Sequence, residues 1–341
     1  MNEIFELDQK VFIIAEIGVN HDGKLEKAKE LILGAKLAGA DAVKFQSYKA
    51  TELASIDTPK VPYQLIGDQS PTHQSMLQRL ELNHAQQKEL FEFSESAGII
   101  FLSTPYSLTE AKFLETLGVP AFKVASADIV DLPLHEYIAS TGKVAIVSTG
   151  MASQGEITEV VSIYRKSGSD LILMHCTSEY PTPINHASMK RINQIATLSD
   201  GPIGFSDHTV DHLAAVMSVA LGCRVIEKHI TINKEDVGPD HAASLSLTEF
   251  AEYCSEIRKS ESALGDGGFV RTEQESLMAI TSRKSLHLNK NFSKGEILEE
   301  QHLILMRPGS GLFWSQKNEI LGKRARYDLN KLHLISREDF T

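Results

Sequence analysis

Cysteine is scarce in this chain of 341 residues: Cys176, Cys223 and Cys254 are odd in number and show no C-x-x-C spacing. That argues against a disulfide framework and a structural zinc cluster, and it fits a reducing cytoplasm. A surplus of positive charge is also lacking. A formal net charge of -11 is wrong for non-specific binding to nucleic acid or to an anionic membrane, both of which need a basic surface. It leaves room for an anionic small molecule in a locally positive pocket. No apolar run approaches the ~20 residues of a membrane span. The stretch Met1 to Lys10 carries Glu3, Glu6 and Asp8 and has no basic start, and the apolar run after it stops at Glu16, so it does not read as a secretory signal.

What is present is an ordinary soluble composition, 42% hydrophobic and 23% charged, on a chain too long for one core alone. Short β-branched runs alternate with amphipathic stretches. The runs are Val11–Ile17, Ala42–Phe45, Ile99–Leu102, Ala121–Val124, Val144–Val147, Leu171–Met174, Pro202–Phe205 and Val225–Glu227. Helical patterns lie between them at Leu25–Ala38, Ala85–Ala97, Thr109–Leu117, Gln154–Lys166, Asp211–Leu221 and Thr248–Leu264. Such alternation implies right-handed parallel crossovers. Its length predicts an α/β fold, a (β/α)8 TIM barrel, with an open doubly wound sheet as the alternative.

Two segments break the rhythm. Ser47 to Asn83 contains Pro59, Pro62, Gly67 and Pro71 but no clean strand or long helix, which predicts an elaborated loop at the barrel mouth, a lid, with a surface insertion of no role as the alternative. After Leu264 the glycines Gly265, Gly267 and Gly268 end the last barrel helix. The expected division is a barrel over 1–264, a linker over 265–281 and a small domain over 282–341, with strand-like pieces at Ser285–Leu288, Gly295–Leu298 and Leu303–Met306.

Polar residues collect at the C-terminal ends of the predicted strands, the face on which barrel enzymes build active sites. Glu16, Asn20 and His21 follow the first run; Lys44 and Gln46 the second; Ser103 and Thr104 the third; Lys123 and Ser126 the fourth. Ser148 and Thr149, His175 and Thr177, Ser206, Asp207 and His208, and Glu227 and His229 complete the ring. Residues two apart on a strand share a face, so Lys44 with Gln46 and Glu227 with His229 point together toward the axis. A buried lysine without an anion is costly. Lys44 and Lys123 with Ser103, Thr104, Ser126 and Ser148 therefore read as a cradle for phosphate and carboxylate. His208 and His229, on neighbouring strands, with Asp207, Glu16 or Asp240 nearby, suit a divalent cation, with manganese expected and magnesium or cobalt as substitutes. His175 is expected to stabilise the anion or anchor the pocket wall. The turn Gly238-Pro239-Asp240-His241 reads either as ordinary turn chemistry or as a device that puts Asp240 at the mouth, where a carboxylate could bind sugar hydroxyls.

These motifs resemble those of the sialic acid synthase family. The resemblance is carried by Ile14 through Gly23, Val43-Lys44-Phe45-Gln46, Ser103-Thr104-Pro105-Tyr106, Ser148-Thr149-Gly150-Met151 and His175-Cys176-Thr177. Tyr180-Pro181-Thr182-Pro183, Ser206-Asp207-His208-Thr209 and Glu227-Lys228-His229 continue it in order. Lys294-Gly295-Glu296 and Arg307 through Gly311 resemble the small antifreeze-like (SAF) domain attached to these enzymes.

The resemblance implies a transferase that condenses phosphoenolpyruvate with an N-acylated mannose-type sugar and releases phosphate by carbon–oxygen cleavage. It implies a domain-swapped homodimer in which Arg307 of one chain reaches the other's site. It assigns the metal to His208 and His229, phosphoenolpyruvate to Lys44, Lys123, Ser126, Ser148, Ser178 and Ser206, and the sugar side to Glu16, Gln46, Tyr180 and Asp240. Asn20 and Thr104 join the substrate-binding set. Many members have Ser-Gly-Glu after the fourth strand where this chain has Ser126-Ala127-Asp128, so Asp128 is the expected base. Pro62-Tyr63-Gln64-Leu65, Leu80-Glu81-Leu82 and the Gly238 turn resemble the legionaminic and bacterial neuraminic branches. The expected acceptor is the diacetamido sugar of legionaminate synthesis, with neuraminate and then pseudaminate synthesis as alternatives. The rival classes are a metal-dependent aldolase or lyase, which would not need the two-lysine cradle, and a non-catalytic carbohydrate-binding protein, which would bind sugar without manganese and leave the strand-end ring unexplained.

Overall fold

The structure, a computed structural model, describes residue 7 and residues 10–341; most of the acidic N-terminus lies outside them. The chain divides into two compact units, 1–265 and 266–341. In the first, eight parallel strands run β1 Phe12–Gly18, β2 Ala42–Ser47, β3 Ile100–Pro105, β4 Ala121–Val124, β5 Val144–Ser148, β6 Leu171–His175, β7 Ile203–Asp207 and β8 Val225–Thr231. They pair in the order β3-β2-β1-β8-β7-β6-β5-β4. β3 and β4 lie side by side and bring the ring round to a nearly closed TIM barrel. The helices are α1 Leu25–Ala38, α2 Ala50–Leu53, α3 Pro62–Gly67, α4 His73–Leu80, α5 His84–Ala97, α6 Leu108–Leu117, α7 Leu132–Ser140, α8 Gln154–Ser167, α9 Arg191–Ala196, α10 Leu213–Ala220 and α11 Leu247–Leu264. Among the described residues, no helix is long and apolar enough to cross a membrane.

Period-two alternation sorts every strand. Phe12 and Ile14, Ala42, Leu102, Ala121, Val144 and Ile146, Ile172 and Met174, and Val225 fill the barrel interior. Ile13, Val43, Phe101, Phe122, Val147, Leu173, Phe205 and Ile226 face the helices. The inward positions are apolar low in the barrel and turn polar at the top, so the same alternation that builds the core also aims the reactive side chains. Side-chain caps fix where the helices start: Asn83 opens α5, Ser153 opens α8 and Ser246 opens α11, each accepting from the amide three residues on.

The segment expected to be a lid is helical, not irregular. α2 and α4 are short, and their apolar sides form a satellite core from Val19, Tyr48, Ala50, Ala54, Met76, Leu77 and Leu80. Tertiary burial stabilises helices too short to stand alone. The stretch expected as a linker also contains a helix, α12 Glu273–Ser282. The second unit pairs Ser285–Leu288 antiparallel with Leu303–Met306 around Leu286, Leu288, Phe292, Leu298, Ile320 and Phe340. The piece Gly295–Leu298 is not a strand. Only an isolated bridge from Ile297 to Arg324 forms there.

Candidate active site

The C-terminal mouth of the barrel opens into a cavity of about 800 Å³. Its floor is made by the topmost inward residues of the strands. Lys44 Nζ lies 2.7 Å from Glu16 Oε2 and donates to Thr104 Oγ1 at 3.1 Å. Lys123 Nζ donates to Ser148 Oγ at 2.6 Å. Glu227 stands between the two ammonium groups, 3.8 Å from Lys44 and 4.0 Å from Lys123, and accepts from Ser206 Oγ at 3.1 Å. All four charged groups are buried.

Burial and charge set their protonation. Burial drives the Glu16 carboxyl upward, and Lys44 only partly pulls it back. Burial opposes charge on Lys44 too, but Glu16 and Glu227 outweigh it and hold that ammonium above its usual range. Lys123 is lowered by burial, which Glu227 only partly offsets. For Glu227 burial is outweighed by the two lysines, and the carboxylate is favoured. Lys123 is therefore the floor cation with the weakest compensation, and an anion in the cavity would supply it.

Glu16 owes its pose to a β-bulge. The β1–β2 register runs Glu16↔Lys44 and then Gly18↔Phe45, so Ile17 is the extra residue. Gly18 takes φ +54°, and a Cβ there would meet Glu16 Oε1 at 2.9 Å. Gln46 Nε2 donates to the same Oε1 at 3.2 Å.

His208 and His229 come together across the floor with ring centroids 5.7 Å apart. His208 Nδ1 lies 2.7 Å from the Thr177 carbonyl. A carbonyl only accepts, so Nδ1 carries the proton and Nε2 keeps its lone pair. Burial lowers this ring to about 4, so it is neutral at physiological pH. Burial also holds His229 well below its ordinary value. Its Nδ1 is a buried atom without a hydrogen-bond partner among the described residues; Asp240 Oδ2 is 3.6 Å away. Two neutral imidazoles, one with an orphaned nitrogen beside a carboxylate, fit a divalent cation. Among the described residues, the three side chains whose ligand atoms all lie within 4.8 Å of one another are Asp22, Asp236 and His241, a group that fits a cation less well. The Lys27 ammonium already lies 2.6 Å from both aspartates, and the cluster ties the loop after β1 to the loop after β8.

Thr104, Ser126, Ser148, Ser178, Tyr180, Ser206 and Asp240 also line the cavity. The Tyr180 ring lies 4.1 Å, centre to centre, from that of His208, and burial raises Asp240 to about 6. Lid residues Leu53, Ala54, Val61, Pro62, Met76, Leu77 and Leu80 make an apolar roof opposite the charged floor.

Four expected participants are turned away, all by strand parity or local bonding. His175 is the outward residue at the end of β6. It stacks on Phe205 and bonds the Ala187 carbonyl at 2.7 Å, anchoring the outside of the wall. Asp207 also points outward, to Lys228, away from His208 and His229. Ser103 faces outward to Ser47 Oγ at 2.7 Å and leaves the cradle to Thr104. Asn20 spends its amide on the Ile230 carbonyl and Ser244 Oγ and is not among the lining residues. Asp128 sits in the 3-10 turn Ser126–Val130, one residue past the lining residues Ala125, Ser126 and Ala127. Burial raises its carboxyl to about 6. Arg307 is exposed on the second unit. Glu227 and Tyr106 also belong to the cavity wall; the sequence places Glu227 in the ring but assigns neither residue a role. For Glu227 the signal was present, in its two-residue spacing from His229.

Residues 31–268 match the NeuB family and residues 283–341 the SAF domain. The chain belongs to the NeuB family. It is 41% identical to the N,N'-diacetyllegionaminic acid synthase of Campylobacter jejuni, over 96% of this chain and 99% of that one. Identity to the N,N'-diacetyllegionaminic acid synthase of Legionella pneumophila is 38%, over 94% of this chain and 91% of that one. Among solved structures, the N-acetylneuraminic acid synthetase of Leptospira borgpetersenii superposes with a TM-score of 0.72 at 32% identity, over 79% of this chain and 90% of that one. The NeuB chain described here is an enzyme, a transferase of the synthase type.

Proposed function

We propose that this NeuB-family enzyme condenses phosphoenolpyruvate with an N-acylated mannose-type sugar, and that the acceptor is 2,4-diacetamido-2,4,6-trideoxymannose, making it an N,N'-diacetyllegionaminate synthase. The observation that carries the chemistry is the floor: two buried lysines joined through Glu227, facing a pair of neutral histidines. Phosphoenolpyruvate offers a phosphate and a carboxylate. Lys44 and Lys123, with Ser126, Ser148, Ser178 and Ser206, hold both and keep their negative charge stabilised through the reaction. Glu16, Gln46, Tyr180 and Asp240 orient the open-chain sugar above them.

A divalent cation such as manganese on His208 and His229 would polarise the sugar aldehyde. The enol carbon of phosphoenolpyruvate attacks the aldehyde carbon, water adds at the carbon bearing phosphate, and the carbon–oxygen bond to phosphate breaks. Asp128, a carboxyl raised to about 6 by burial, suits the group that takes the water's proton near neutrality. Arg307, exposed on its own chain, completes the site of a second copy in a domain-swapped homodimer. α12 has no buried residue and leaves Leu277, Met278 and Ile280 open, a surface a second copy would cover. Three buried free cysteines suit a cytoplasmic enzyme.

The choice of sugar rests on the apolar roof. A 6-deoxy sugar with two acetamido groups offers three methyls to it, where N-acetylmannosamine offers one. The test is phosphate release from phosphoenolpyruvate with manganese, comparing those two acceptors. Faster release with the diacetamido sugar supports the legionaminate reading, and faster release with N-acetylmannosamine transfers it to neuraminate. Silence with both overturns the proposal.

A further inference from the structure

The outward side of the barrel wall around β6 to β8 is apolar, with Leu173, Phe205, Ile226 and Ile230 facing the helices. Asp207 and Lys228 interrupt it. They are register partners on β7 and β8, both side chains are fully buried, and Nζ lies 3.3 Å from Oδ2. Removing two charges from water costs several kcal/mol per ion, and apolar replacements of such pairs are often as stable or more so. Stability alone is a weak reason for this pair to exist.

Its bonding points to geometry instead. Asp207 Oδ1 accepts from the Thr209 amide and the Thr209 hydroxyl, both at 2.8 Å. Asp207 Oδ2 accepts from the Tyr253 hydroxyl at 3.0 Å. The Lys228 ammonium donates to the Thr209 carbonyl and lies 5.6 Å from the centre of the buried Tyr253 ring. One cluster thus joins the end of β7, the turn beyond it, β8 and α11.

The opposite face of the same residues holds the candidate metal pair. Ser206 and His208 flank Asp207, and Glu227 and His229 flank Lys228, all four lining the cavity. The β7–β8 ladder ends at the Asp207–Lys228 pair, so no rung of it positions His208. That residue is held by its ring bond to Thr177, by the Thr182 amide on its carbonyl, and by the cluster on either side of it. One cation held by two imidazoles requires both ligand distances to fall within about 0.2 Å of their usual values.

We propose that Asp207, Lys228 and Tyr253 form a clamp on the outer face of the barrel that sets the separation of His208 and His229. They are positioning residues for a divalent cation, and the assignment rests on the metal reading above. The test is manganese titration of the full chain by calorimetry, with thermal melting alongside. Two variants are compared with wild type: Tyr253→Phe, which removes one bond, and Asp207→Asn combined with Lys228→Met, which leaves no unpaired charge. Folded variants are expected to bind manganese roughly 10- to 100-fold more weakly, Tyr253→Phe at the smaller end. Wild-type affinity in a folded variant overturns the clamp; if the double variant does not fold, Tyr253→Phe decides. His208→Ala separates the two ideas. Undiminished binding in His208→Ala, or none in wild type, overturns the metal reading itself. Binding lost in His208→Ala but unchanged in Tyr253→Phe overturns the clamp alone.

Discussion

Glu227 Oε1 stands 3.8 Å from Lys44 Nζ, and its other oxygen is 4.0 Å from Lys123, so one buried carboxylate serves two buried ammonium groups. Glu227→Gln keeps the shape and the Ser206 bond but removes the charge. Breaking a buried pair from one side costs about 3 kcal/mol or more, and loss of floor electrostatics costs about 100-fold or more in turnover. Urea unfolding and phosphate-release kinetics check both. A Gln variant with wild-type stability and rate would show that the two lysines do not depend on Glu227.

The bulge at Gly18 gives a second expectation. Gly18→Ala adds a side chain at φ +54° and places its Cβ 2.9 Å from Glu16 Oε1. The backbone strain alone is about 1–2 kcal/mol. Gly118 has φ +93° with nothing within 4 Å of an added Cβ, so Gly118→Ala carries the strain without the contact. Both variants should lose similar stability, and only Gly18→Ala should lose turnover. Equal turnover in the two would detach the bulge from the site.

The barrel was legible because eight β-branched runs and their intervening amphipathic stretches each carry a strong period. The helix Leu25–Ala38 coincides with its pattern to the residue. α7 and α9 carry too weak a local signal: α9 has only six residues, and α7 has a proline in its first turn. The ring of polar strand-end residues was legible as a ring, but nearness to a strand end does not determine side. Parity does. His175 and Asp207 come one residue off the inward positions Met174 and Ser206, and so fall outside. The lid helices depend on burial of Met76, Leu77 and Leu80 against Val19 and Tyr48, contacts between segments that a local pattern cannot contain.

Buried histidines outside the cavity set a pH dependence. His135 is lowered to about 4 by burial and its Nδ1 lies 3.0 Å from the Tyr164 hydroxyl. As pH falls below about 6.5 the unfolded chain takes up a proton that the folded ring refuses until about 4. The histidine's contribution is therefore full above the unfolded value and is lost through that window. Buried carboxyls raised to about 6, Asp128 and Asp240, act with the opposite sign, so the clean quantity is a difference. Between pH 7.5 and 4, wild type should lose up to roughly 3 kcal/mol relative to His135→Gln, read from urea midpoints. Parallel pH profiles would mean that the ring is not held neutral by burial.

The apolar roof carries the last expectation, and Val61 is the place to test it. It lines the cavity and occupies the N-cap of α3 without a side-chain cap bond. Val61→Thr exchanges one methyl for a hydroxyl of nearly the same size. Threonine is the better N-cap, so the variant is not expected to lose stability, and a kinetic change is not explained by misfolding. If the roof receives sugar methyls, kcat/KM for the diacetamido sugar should fall about 5- to 10-fold, the scale of one lost apolar contact in a pocket. The value for N-acetylmannosamine, with fewer methyls to offer, should change less. Phosphate release with each acceptor measures the ratio. An equal loss with both sugars would place Val61 in general closure of the mouth, and an unchanged ratio at full activity would remove the roof from acceptor choice.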